Sequence, residues 1–178
     1  SFLSDYKKAP PLTKSISNIG EVILDKLIEH ELCIADLYAQ YSKRIPEDKS
    51  FWMQISIEEK GHAKIIENIR GMVDRKEAVF CVSNITSKLI DQSIDSIHKH
   101  ISFVKKEKPT RNLALATAIS IEKSLTESCF FDVASSDSPK VVDMKKAMTA
   151  SIRLHLQRLE KVYNQCIAEQ KAHKGNSY

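Results

Sequence analysis

Five ionisable side chains occupy positions at which the surrounding sequence pattern requires apolar residues. Each lies on a stripe of aliphatic or small residues that recur every three or four positions, as on the buried face of an α-helix. A lone carboxylate on such a face is costly to bury unless it is protonated, paired or bound to a metal. The five residues are Glu31, Glu59, His62, Glu122 and His155.

The types and spacing of these residues are typical of metal ligands. Glu59 and His62 are three positions apart, so both side chains project from one helical face. Glutamate oxygens and neutral imidazole nitrogens suit iron, manganese or zinc. One Glu-x-x-His pair is weak evidence, but four stripes that carry such residues near mid-length predict a metal site inside a helical bundle.

The elements that must position these residues are helices. Apolar periodicity and the positions of proline and glycine predict five of them, over about 16–43, 51–72, 85–104, 110–134 and 139–172, with Gly71 as a stop for the second. Residues 1–15 are predicted to be an irregular lead-in, and residues 16–174 to form one helical domain. The 85–104 stretch has no ligand-like residue on its stripe. We interpret it as an added helix that covers the bundle or meets another subunit.

Composition argues against several classes of protein. The 178-residue chain has 27 Lys+Arg against 23 Asp+Glu, an excess too small to predict nucleic-acid binding. No apolar run approaches the roughly 18 residues of a transmembrane helix, so no membrane partner is expected. The cysteines form no CxxC pair, and we expect them to pack as small apolar residues in a reducing cytoplasm. They are Cys33, Cys81, Cys129 and Cys166.

The sequence resembles the rubrerythrin-like branch of the ferritin-like superfamily. The resemblance is carried by residues 31–38, 51–52, 58–63 and 118–122 and by His155. In that family, one Glu from each of two helices and a Glu-x-x-His from each of two others hold a di-iron or di-manganese centre. The resemblance therefore implies an all-α, ferritin-like four-helix bundle with one additional helix and an interior metal centre.

Carried over position by position, the resemblance assigns a role to each of the five residues. Glu31 and His62 would bind one metal, and Glu122 and His155 would hold the second. Glu59 would bridge the two metals.

The chain departs from the family pattern at one ligand. The second Glu-x-x-His requires an acid three positions before His155, but Ile152 stands there, flanked by Ser151 and Arg153. Bridging carboxylates offset the repulsion between two close metal ions, so this loss weakens the second site more than the first. Three outcomes stay open: an intact dinuclear centre, a single metal or low-affinity site, and no physiological metal.

Two functions are compatible with this pattern. The first is a non-haem oxidoreductase that acts on peroxide or O2, or oxidises iron. It would use an external electron-donor protein, because the chain lacks the CxxC pairs of a rubredoxin domain. The alternative is a ferritin-like scaffold with a degraded metal site, acting as a binding or structural protein. Iron is the expected cofactor, with manganese or zinc as alternatives, and a homodimer is the expected assembly.

Structural roles are the simpler interpretation for several polar residues. Glu31 can be a buried carboxylate bonded to Tyr38 or to a neighbouring helix. Glu58 is expected to be solvated. The remaining histidines fall outside the stripes or near an end and are expected at the surface; they are His30, His98, His100 and His173.

Overall fold

Five α-helices and one short pair of strands make up the described part of the chain. The computed structural model describes residues 12–80, 86–127, 134–135 and 138–175. The helices are α1 (Leu12–Arg44), α2 (Lys49–Asp74), α3 (Ser87–Lys106), α4 (Arg111–Glu127) and α5 (Pro139–Gly175). A 3₁₀ turn (Pro46–Asp48) joins α1 to α2, and strands β1 (Val79–Phe80) and β2 (Ala134–Ser135) pair antiparallel. The predicted all-α class is confirmed, with this small sheet as an addition.

Two helix boundaries differ clearly from the prediction. Helix α1 begins at Leu12, within the segment expected to be irregular, and residues 1–11 lie outside the described residues. The prediction that α4 continues to Ala134 is wrong, because Ala134 pairs with Phe80 in the sheet. Residues 128–133 lie outside the described part of the chain, so the structure bears on this boundary only through the strand that follows.

The end of α2 is formed by a lysine rather than by Gly71. The N–H of Lys76 donates to the carbonyl of Val73 at 3.0 Å, and the N–H of Glu77 donates to that of Met72 at 2.8 Å. These two bonds form a Schellman motif, which satisfies the last helical carbonyls. The motif requires a left-handed residue, and Lys76 adopts φ 61° there. Gly71 stays helical, so the predicted stop at this glycine is wrong.

Helix α1 packs against both α2 and α3, while α5 packs against α4 and meets α2. The contact of α3 uses five of the six residues of its predicted apolar stripe, and these are buried in the core: Ile90, Ile94, Ile97, Ile101 and Val104. The sixth, Leu89, is exposed, so its predicted place on the buried face is wrong. The Thr86 side chain caps this helix by accepting a hydrogen bond from the N–H of Leu89 at 3.3 Å. Helix α3 therefore packs on α1 through a buried face, and its role at a contact with another subunit stays a prediction.

Polar contacts fix the helices relative to one another. The Ser56 hydroxyl donates to the carbonyl oxygen of Ala35 at 2.7 Å, which brings α2 close to α1. Arg111 donates two hydrogen bonds to Asp48, at 2.6 and 2.9 Å, and one to Glu169 at 2.9 Å. The start of α4 is thereby tied to the 3₁₀ turn and to α5. Paired hydrogen bonds between an arginine and a carboxylate fix geometry as well as adding stability.

Among the helices that the structure describes, none combines the length and the apolar character needed to cross a membrane. Cys33 and Cys166 are free thiols buried in the hydrophobic core, as predicted for small apolar residues. Cys81 and Cys129 lie outside the described residues.

Candidate metal centre

Helices α1, α2, α4 and α5 bring five ionisable side chains together in the interior. Glu31, Glu59, Glu122 and His155 are 0% exposed, and His62 is 3% exposed. These are the five residues that the sequence pattern singles out. The structure buries all of them and places them in contact, while metal binding by them stays a prediction.

Glu59 lies at the centre of the group and contacts both imidazoles. His62, one turn further along α2, donates a hydrogen bond from Nδ1 to Glu59 Oε2 at 2.8 Å. Glu59 Oε1 lies 2.8 Å from Nδ1 of His155 on α5. The two imidazole rings are 5.2 Å apart, with an angle of 30° between their planes. Glu59 is therefore the carboxylate that the two imidazoles share, and its bridging of two metal ions stays a prediction.

Glu31 and Glu122 each add one carboxylate to the group. Glu31 Oε2 lies 3.5 Å from His62 Nδ1, and Glu122 Oε1 lies 3.8 Å from His155 Nδ1. The Nδ1 atom of each imidazole therefore faces two carboxylates. We refer to Glu31, Glu59 and His62 as the His62 half of the site, and to Glu59, Glu122 and His155 as the His155 half.

These separations fit ligands of a shared ion. Two ligand atoms about 2.1 Å from a metal are about 3.0 Å apart at a right angle and about 3.4 Å apart at the tetrahedral angle. The four nitrogen–oxygen separations range from 2.8 to 3.8 Å and bracket these values. Ligand atoms of Glu59, His62 and His155 all lie within 4.8 Å of one another. This buried Glu/His/His group can hold a metal ion.

Several atoms of the cluster are buried without a hydrogen-bond partner among the described residues. They are both oxygens of Glu31, Oε1 of Glu59, Nε2 of His62 and Nδ1 of His155. Buried polar atoms in native proteins are nearly always hydrogen-bonded, and leaving a carboxylate oxygen without a partner is costly. A cation among these oxygens would provide the missing interaction. The donor set fits iron, manganese or zinc, because it combines carboxylates with imidazoles.

The cluster shifts the pKa values of its own members. Burial alone lowers the pKa of an imidazole, but contacts with Glu31 and Glu59 outweigh it and raise the pKa of His62 to about 10. In the same way, Glu122 and Glu59 raise the pKa of His155 to about 9. Burial raises the pKa of Glu59 to about 7, since it outweighs the favourable contacts of this carboxylate with the two imidazoles. In the metal-free protein, imidazolium ions and carboxylates therefore compensate each other's charge.

The position one turn before His155 carries no acid. Ile152 is 1% exposed and packs in the hydrophobic core. The His155 half therefore contains the carboxylates of Glu59 and Glu122 but none from α5. Ile152 thus fills a buried position three residues before His155 on α5 with an apolar side chain.

Tyr38 contacts Glu122, whereas the sequence-based alternative paired it with Glu31. The Tyr38 hydroxyl donates a 3.0 Å hydrogen bond to Glu122 Oε1. Burial, together with the nearby carboxylates, raises the pKa of Tyr38 well above its usual value, so the hydroxyl keeps its proton. The position of Tyr38 on the buried stripe of α1 indicated that it faces the interior. Its partner on α4 depends on the packing of the helices and had no sequence signal.

Glu58 and Arg158 form a layer behind His155. His155 Nε2 donates to Glu58 Oε2 at 2.5 Å, and Arg158 donates to both oxygens of Glu58. Glu58 was expected to be solvated, but its side chain is only 26% exposed and its carboxylate is bonded to both residues. The spacing of three between His155 and Arg158 placed both on one face of α5. That spacing was the available signal for the contact.

His30 is buried, which corrects the expectation that it lies at the surface. Its Nε2 is 2.8 Å from the hydroxyl of Ser93 on α3, and its Nδ1 is 3.7 Å from Glu31 Oε1. The contact with His30, and with His62, outweighs burial and lowers the pKa of Glu31 to about 2. His30 on α1 thus connects Ser93 of α3 to Glu31 at the edge of the site.

The other histidines expected at the surface lie away from the cluster where the structure describes them. His98 is exposed, with Nε2 3.2 Å from the sulfur of Cys33, and His100 is partly exposed. The side chain of His173 lies outside the described part of the chain.

Comparison with known proteins gives no relative from which a role could be transferred. No protein-family model matches the chain, and no curated protein or solved structure matches it. The chemistry of the site is therefore argued from its own residues.

Proposed function

We propose that this protein binds iron inside a ferritin-like helical bundle and acts as a non-haem oxidoreductase on peroxide or O2. The observation that supports the proposal is the convergence of three carboxylates and two imidazoles at 0–3% exposure. They come from four helices in the order Glu, Glu-x-x-His, Glu, His. That order matches the rubrerythrin-like pattern, apart from the acid that Ile152 replaces.

Each half of the site supplies three protein ligands, which leaves coordination positions of a bound metal open. The His62 half supplies two carboxylates and one imidazole, and the His155 half supplies the same set through the shared Glu59. Three protein ligands are typical of catalytic sites, which keep positions open for a small molecule. Bound iron would supply one-electron redox chemistry at those positions. The side chains orient the metal, and their burial excludes bulk water.

The proposed reaction needs an external source of electrons. The chain has no CxxC pair of the kind that forms a rubredoxin site. We therefore propose that a separate electron-donor protein re-reduces the site.

A second candidate function is a ferritin-like scaffold without redox activity. The observation in its favour is Ile152, together with the mutual charge compensation of the carboxylates and imidazoles. Such a cluster can exist without a metal, because buried charges are tolerated when they are paired. On this alternative the cluster is structural, and function lies on the surface of the bundle.

Metal content after anaerobic loading tests the first function against the second. The purified protein is incubated with Fe(II), freed of loosely bound ions and analysed for iron per chain. Glu59→Ala is loaded in parallel, since it removes the carboxylate shared by both halves. Glu67→Ala is the matched control, because Glu67 is exposed on the same helix and pairs with Lys64. Thermal unfolding of each metal-free variant shows whether it is folded.

The proposal expects one or two iron ions per chain in the wild type and in Glu67→Ala, and none in folded Glu59→Ala. Peroxide consumption with a chemical reductant should then follow iron content. If wild type and Glu59→Ala both retain no iron, the scaffold alternative is supported. Iron bound equally by all three proteins would contradict the assignment of Glu59 as a ligand.

A further inference from the structure

We propose that Glu58, held in place by Arg158, positions His155 so that only its Nδ1 is available to a metal, and thereby strengthens the half of the site that lacks an acid at position 152. This inference rests on the proposed metal-binding function. Glu58 and Arg158 are positioning residues, since Glu58 contacts His155 and Arg158 acts through Glu58.

The first step is the direction of the hydrogen bond between Glu58 and His155. An ionised carboxylate can only accept, so the 2.5 Å contact requires that His155 Nε2 carries the proton. Nδ1 is then the nitrogen left for coordination. It lies 2.8 Å from Glu59 Oε1 and 3.8 Å from Glu122 Oε1, inside the His155 half.

The second step is that Glu58 itself has a fixed position. Gln54, one turn earlier on α2, donates to Glu58 Oε1 at 2.8 Å. Arg158, one turn after His155 on α5, donates to both carboxylate oxygens. The carboxylate is therefore held from its own helix and from the helix that carries His155. Rotation of the imidazole would break a contact that three side chains maintain.

The third step is that the two imidazoles are supported unequally. His62 Nε2 is buried and has no hydrogen-bond partner among the described residues, whereas His155 Nε2 is bonded to a carboxylate. The support is found on the half that has lost its α5 acid at Ile152. A carboxylate behind a ligating histidine fixes its tautomer and makes it a stronger donor. Glu58 thus brings negative charge to the depleted half from behind the ring.

The test combines metal affinity with the protonation of the imidazole. Co(II) serves as the probe, and its dissociation constant is measured for wild type, Glu58→Gln and Arg158→Gln, with Glu67→Gln as the matched control on α2. Long-range ¹H–¹⁵N spectra of the metal-free, ¹⁵N-labelled protein report which nitrogen of His155 carries a proton, with His155→Gln providing the assignment. Thermal unfolding confirms that each variant is folded.

We expect a protected Nε2 proton on His155 in the wild type, and a shifted or lost signal in Glu58→Gln. Co(II) affinity should fall about 10- to 100-fold in Glu58→Gln, less in Arg158→Gln, and not at all in Glu67→Gln. Equal affinity in wild type and Glu58→Gln, or an unprotonated Nε2 in the wild type, would overturn the positioning role while leaving the metal site intact. A wild type that binds no Co(II) and no Fe(II) would contradict the proposed function, and this inference with it.

Discussion

Glu59 Oε1 and His155 Nδ1 lie 2.8 Å apart where α2 meets α5, and yet no hydrogen bond joins them. A hydrogen bond at this distance requires the N–H vector to point at the oxygen, and an imidazole N–H is fixed in the plane of the ring. The orientation of this ring satisfies the bond from Nε2 to Glu58 instead. The in-plane direction of Nδ1 is thus left for a third partner. The proposed metal ion would be such a partner.

The absent acid at position 152 provides a gain-of-function prediction. Ile152→Glu should raise the metal content towards two ions per chain, because it restores a carboxylate to the His155 half. In the metal-free state the same change should lower the free energy of unfolding by several kcal/mol, since it adds a buried carboxylate next to Glu59 and Glu122. Metal should reverse that loss. Iron analysis and thermal unfolding with and without Fe(II) measure both effects.

Met148→Glu is the matched control for this substitution. Met148 lies one turn earlier on α5 and, like Ile152, is 1% exposed. A glutamate there carries the same burial penalty but stands a turn further from the ligands. We expect it to destabilise the protein without rescue by metal. Rescue of both variants, or of neither, would show that the register of α5 against the site differs from the one described.

Gly61 offers a test of helix α2 beside the site. A Cβ built at this exposed position has no atom within 4 Å, so a methyl group would meet only solvent. Glycine in a helix interior is less favourable than alanine by about 0.5–1 kcal/mol. Gly61→Ala should therefore raise the free energy of unfolding by about that amount, measured in urea. At Gly71 the new Cβ would lie 3.3 Å from the Arg75 side chain. A smaller gain is expected there, and a larger one would contradict the comparison.

A second stabilising substitution is expected at Lys76, where glycine would be introduced instead of removed. It occupies the left-handed position of the motif that ends α2, with φ 61°. A left-handed conformation costs an L-residue about 1–2 kcal/mol, a penalty that glycine does not have. Lys76→Gly should thus stabilise the protein by about 1 kcal/mol in thermal or urea unfolding. Lys64→Gly, within the same helix, should destabilise it by a similar amount. The same sign for both changes would contradict the assigned end of α2.

The helices and the five buried groups were predictable because periodicity is a local signal. A residue such as Glu122 shows its burial through the apolar residues three and four positions away on its own helix. The same holds for the stripe of α3. The Schellman motif at Lys76 was missed because lysine is a rare choice for a left-handed position. The end of α2 was predicted at Gly71 instead, since glycine is the usual residue there.

Contacts between helices were not predictable in the same way. Glu58 looks like a solvated neighbour of Glu59 until α5 brings Arg158 and His155 against it. His30 is buried because α3 covers that side of α1, and a single stripe on α3 does not show which face of α1 it covers. The burial and the partners of such residues depend on which helices pack together and at what register. The apolar pattern of a single helix does not contain that information.

Metal uptake should release protons. Neighbouring carboxylates outweigh burial and raise the pKa of His62 to about 10 and that of His155 to about 9, so both imidazoles are protonated in the metal-free protein at neutral pH. A metal binds only the deprotonated nitrogen, and its affinity therefore rises with pH until those protons are gone. Near pH 7, the imidazoles should release about two protons per chain when both halves are filled, and about one when only the His62 half is filled. Glu59, with its pKa raised to about 7, should add about half a proton in either case.

Proton release can be measured by calorimetric titration with Co(II) in buffers of different ionisation enthalpy. The apparent affinity should increase steadily from pH 6 to about pH 10 and level off above the raised pKa values of the two imidazoles. His155→Gln should remove about one of the released protons while leaving the His62 half able to bind. Uptake of metal without any proton release would mean that neither imidazole is a ligand, even if the metal is bound tightly.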